Sequence, residues 1–65
     1  MTPRRIVRVL LAEDNESDAQ LVRDALANVP GTDYAVHAVT RFADAQDAIE
    51  RSAFDIVLLG IELPD

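Results

Sequence analysis

Residues 6–15 read Ile6-Val7-Arg8-Val9-Leu10-Leu11-Ala12-Glu13-Asp14-Asn15, an apolar run that stops at two adjacent carboxylates. A β-branched and aliphatic run of this length, closed by an acidic turn, reads as a buried strand. Open parallel α/β sheets hold their ligands beyond the carboxyl ends of their strands, which is where Glu13 and Asp14 fall. The rest of the chain either completes a site around this acid pair or fails to.

Outward from that strand, residues 15–17 supply capping candidates, and Glu16 and Asp18 place negative charge in the first turn of a helix. Val22, Ala25, Leu26 and Val29 recur at i, i+3, i+4 and i+7, one apolar stripe. Pro30-Gly31 is expected to end that helix. Tyr34–Val39 reads as a second, shorter strand of edge type. Thr40 is the expected N-cap of a second helix over residues 41–52, with Phe42, Ala45, Ala48, Ile49 and Ser52 inward. Phe54–Leu59 reads as a third strand, and its four consecutive aliphatics predict burial on both faces.

The order β-α-β-α-β with crossover-length connections predicts a flavodoxin-like parallel sheet. Right-handed crossovers then give strand order 2-1-3 with one helix on each face. The crevice falls between the ends of strands one and three, with Glu13 and Asp14 at one lip and Gly60 at the other. The outer edge of strand three would present unpaired backbone beside large aliphatics.

Composition narrows the chemistry. Twelve acids stand against six arginines and no lysine, a net charge of −6, the reverse of a nucleic-acid binder. Arg4, Arg5 and Arg8 read as a solvated entry to the first strand, and His37 as an exposed or structural histidine. The chain has no cysteine, which rules out disulfides, thiolate metal sites and thiol catalysis. No apolar stretch has the length of a membrane span and no signal segment is evident, so the chain reads as soluble and cytoplasmic. Its 65 residues form one small domain that needs further burial from a partner or from more chain.

The segments VRVLLAEDNESDAQLVRDAL and FDIVLLGIELPD together resemble the first half of a response-regulator receiver domain of bacterial two-component signalling. The resemblance implies a phosphorelay module, in which a histidine kinase passes a phosphoryl group to an aspartate beside a bound Mg²⁺. It implies Glu13 and Asp14 as metal-binding acids, Glu62 as the residue lending its backbone carbonyl, and Gly60 at the phosphoacceptor position. Glycine has no nucleophile, so the chemistry is lost there and Mg²⁺ is expected to bind weakly. The family's later elements, with their hydroxyl residue and lysine, have no counterpart among these residues.

The reading is therefore a non-catalytic, truncated receiver-like half-domain that acts, if at all, by self-association, as a homodimer through the Phe54–Leu59 edge. Two alternatives stand beside it. One is a response regulator that accepts phosphoryl on another acid or with a completing partner. The other is a module docking onto a histidine kinase or another receiver.

Overall fold

The computed structural model describes residues 5–60. Three strands, β1 (Arg5–Ala12), β2 (Thr32–Val39) and β3 (Ile56–Leu59), alternate with two helices, α1 (Glu16–Ala27) and α2 (Phe42–Arg51). The sheet is parallel throughout and its order is β2-β1-β3, as the strand-helix alternation predicts. β1 pairs with β2 over its whole length, from Arg5 opposite Thr32 to Ala12 opposite Val39. β3 pairs with only the second half of β1, from Val9 opposite Ile56 to Ala12 opposite Leu59. The two crossovers leave β1 in opposite directions, so their common right hand sets one helix on each face.

Side chains alternate across the sheet, so the central strand feeds both layers. Leu10 and Ala12 meet Ala45 of α2, with Val39, Ala48 and Phe54 packed around them. Val7, Val9 and Leu11 supply the opposite face. Five of the seven buried apolar residues among those described belong to β1, and each helix adds only one alanine, Ala19 or Ala45.

Asn15 caps α1: its backbone is extended and its Oδ1 accepts the Asp18 N–H at 3.0 Å. The helix ends at Ala27, before the Pro30-Gly31 pair expected to stop it. The N–H groups of Asn28 and Val29 turn back to Ala25 and Leu26. Gly31 then takes a φ of +81°, the left-handed turn that glycine tolerates. The apolar stripe of α1 is shifted from the expected one. Ala19 is buried, Val22 and Leu26 are half-buried, and Ala25 and Val29 are exposed.

Three further expectations fail. The N-cap of α2 is Arg41 rather than Thr40, and Arg41 makes no side-chain capping bond. α2 buries Ala45 and half-buries Ala48, whereas Phe42, Ile49 and Ser52 are exposed. β3 is not covered on either face: Ile56, Val57, Leu58 and Leu59 are 40%, 41%, 37% and 56% exposed. The cause is where α2 sits, over β1 and β2, which leaves the surface of β3 open. β2 is as long as β1, eight residues, although it is an edge strand as expected.

Candidate functional site

The carboxyl ends of all three strands are stitched together at the acid pair. Gly60 N–H donates to the Ala12 carbonyl at 2.7 Å, and Glu13 N–H donates to the Val39 carbonyl at 3.0 Å. Glu13 thus lies between the tips of β2 and β3. Its Oε1 accepts the Asn15 N–H at 3.1 Å, which ties the carboxylate to the start of α1.

Gly60 and Glu13 are in close apposition. A Cβ at position 60 would lie 2.9 Å from Glu13 Oε2, 3.3 Å from its Cδ and 3.2 Å from the Ala12 carbonyl oxygen. The topology therefore brings the first acid and position 60 to one point. Asp14 is exposed and turns to the other side, where it lines a crevice of about 250 Å³ with Glu13, Glu16, Arg23 and Thr40. The acids thus open toward β2 as well as toward β3. Glu62 lies outside the described residues. Among the described residues no group of three His, Asp or Glu side chains converges as a metal site.

Asp55 immediately precedes β3, at the end far from Gly60. Its Oδ2 accepts the Arg8 N–H at 2.9 Å while its own N–H donates to the Arg8 carbonyl at 2.8 Å. This reciprocal pair fastens the start of β3 to β1, about five residues or ~16 Å of strand from Gly60.

Sequence reasoning overlooked a second concavity. A groove of about 330 Å³ lies between α2 and the sheet, lined by Arg8, His37, Asp44, Asp47, Arg51 and Phe54 among others. The Arg8 guanidinium carbon is 5.4 Å from the Phe54 ring centroid, and the His37 ring is 6.2 Å from it. Arg51 pairs with Asp47 at 3.0 Å across one turn of α2. Register could have revealed this meeting: Arg8 lies opposite Ala35, and Leu10 opposite His37, so all four point to one face. No polar or charged side chain is buried among the described residues.

Comparison with family models, with curated proteins and with solved structures finds no match. Among the described residues no helix is long and apolar enough to cross a membrane.

Proposed function

We propose that this chain is a receiver-like signalling module that does not accept a phosphoryl group at position 60 and works by association. One observation supports the reading above others. Position 60 abuts the Glu13 carboxylate, the place a receiver's phosphoacceptor would occupy beside its metal-binding acids, and the residue there is glycine. An in-line phosphoryl transfer needs a carboxylate nucleophile at that point, and glycine has none. Asp55, just before β3, already accepts the Arg8 N–H at the opposite end of the strand.

Glu13 and Asp14 supply two carboxylates, and Mg²⁺ is commonly held by one or two with waters completing its shell. With position 60 empty of oxygen, and Glu13 Oε1 already engaged by Asn15, these residues suit weak binding, millimolar or weaker. The Glu62 carbonyl would be the remaining protein ligand.

Incubation with acetyl phosphate and Mg²⁺, followed by intact-mass measurement, tests the proposal. The expected spectrum shows the unmodified chain alone. A covalent adduct of one phosphoryl group would overturn the reading in favour of an acceptor at another acid.

A further inference from the structure

We infer that the outer edge of β3 is the contact surface for a second copy of this chain, with the two-fold axis passing through Leu58. The inference deepens the association reading above and rests on it.

Among the described residues β3 is an edge of the sheet, and it combines three properties that an edge rarely shows together. It carries no charge, proline or polar side chain over Ile56–Leu59, the usual protections of an edge strand. It is exposed on both faces, Ile56 and Leu58 on one, Val57 and Leu59 on the other. On the Val57 and Leu59 face it is flanked by further exposed apolar side chains, Phe42 and Ile49, which share one side of α2. The opposite side of α2 carries Asp44, Asp47 and Arg51 and overhangs β2, lining the groove with His37 and Arg8. The helix is thus charged toward β2 and apolar toward β3.

The backbone fixes the register. Gly60 N–H points inward to β1, so alternation turns Leu58 inward too and leaves the N–H and C=O of Val57 and Leu59 directed outward. Residues opposite one another in an antiparallel pair share a face, so a two-fold normal to the sheet must pass through a residue rather than between two. With the axis at Leu58, Val57 of each copy faces Leu59 of the other and exchanges both hydrogen bonds. Every outward group of β3 is then satisfied. With the axis at Val57, Leu59 would need Asp55, whose N–H already points inward to Arg8. The product is one six-stranded sheet, 2-1-3-3-1-2.

The alternative of packing sheet face on sheet face would press the outer side of α2, with Asp47 and Glu50, against the partner's apolar surface. The exposed apolar side chains at and beside the edge, Ile56 to Leu59 with Phe42 and Ile49, form the surface that a second copy would partly cover. A second copy therefore fits in backbone, in side-chain surface and in charge placement.

The chain has no cysteine, so single substitutions report the contact cleanly. In a non-hydrogen-bonded antiparallel pair the Cα atoms are about 4.5 Å apart, within disulfide range. Leu58→Cys should form a covalent dimer on mild oxidation, many-fold faster than Ile6→Cys, another exposed site. Should Leu58→Cys fail to fold by circular dichroism, an equimolar mixture of Val57→Cys and Leu59→Cys should give the heterodimer preferentially. Sedimentation of the unsubstituted chain separates the two levels. A folded monomer at micromolar concentration defeats both the association reading and this inference. A dimer whose Leu58→Cys crosslinks no faster than Ile6→Cys leaves association standing and overturns the β3 contact.

Discussion

At the scale of single residues, Gly60 is the position where space and charge compete. Its φ is not in the left-handed region, so alanine there is conformationally allowed and would gain about 0.4–1 kcal/mol by restricting the unfolded chain. Against this, the new Cβ meets Glu13 Oε2 and the Ala12 carbonyl, an oxygen held in place by accepting the Gly60 N–H. Glu13 Oε2 is the end of a flexible side chain and can move aside, at most at the cost of the bond from Asn15, about 0.5–1.5 kcal/mol. The two effects nearly cancel, so Gly60→Ala is expected to change stability by less than about 1 kcal/mol in urea unfolding, and to be more favourable in a Glu13→Ala background, where two of the three contacts are gone. Gly60→Asp should lose more at neutral pH, because it sets a second carboxylate against Glu13. Millimolar Mg²⁺ should restore the difference by binding the folded state. A Gly60→Asp protein indifferent to Mg²⁺ would speak against the acid pair as a metal site. The meeting of Glu13 with position 60 was legible in the sequence because it follows from strand order and strand length alone. The clamp between Arg8 and Asp55, and the stacking of Arg8 on Phe54, were not. They depend on the register between strands 47 residues apart, which hydrophobic periodicity does not encode.

At the scale of elements, the sequence located every strand and helix, and erred on which side of an element is covered. The apolar stripe of α2 runs from Phe42 and Ile49 through Ala45 to Ala48, about 120° of the helix circumference. A stripe that wide does not say which of its margins meets the sheet. The helix settles with its small residues, Ala45 and Ala48, over β1 and β2, and its bulky margin overhangs β3 without contact enough to bury it. The same seating explains the exposed β3, whose four aliphatics read as an interior strand although it is an edge among the described residues. The start of α2 offers a direct test. Arg41 already has the extended backbone of an N-cap, φ −132° and ψ 149°, but its side chain makes no bond to the first turn. Arg41→Ser supplies an acceptor there and also removes a positive charge from the positive end of the helix dipole. It is expected to stabilise the fold by about 0.5–1 kcal/mol by thermal or urea unfolding. Thr40→Ala, altering the residue the sequence favoured as cap, should change stability by only a few tenths of that. The reverse ranking would mean that the helix begins one residue earlier in solution.

At the scale of the whole molecule, the balance of burial predicts how stability responds to conditions. Nine large apolar side chains are exposed among the described residues, against seven buried residues of which three are alanines. A chain of this size has little margin from such a core, so on the proposed association burial would contribute a substantial share of its stability. Stability should therefore depend on concentration, with the thermal midpoint falling on dilution, which a monomer would not show. Electrostatics adds a second signature. Each copy carries a net charge of −6, so in the proposed dimer two copies would repel one another before their apolar edges meet. The Arg51–Asp47 pair among the described residues is exposed, and pairs of that kind contribute little for salt to weaken. Raising salt from about 0.01 to 0.15 M shortens the screening length from about 30 to 8 Å. It should tighten dimerisation and raise the midpoint together, as read by sedimentation and calorimetry on the same samples. Salt sensitivity has two separable origins. Screening within one acidic chain would raise the midpoint equally at every protein concentration, whereas screening between copies makes the gain depend on how much dimer is present. A salt effect independent of protein concentration would therefore place the repulsion inside the chain and remove the apolar edge as its counterweight.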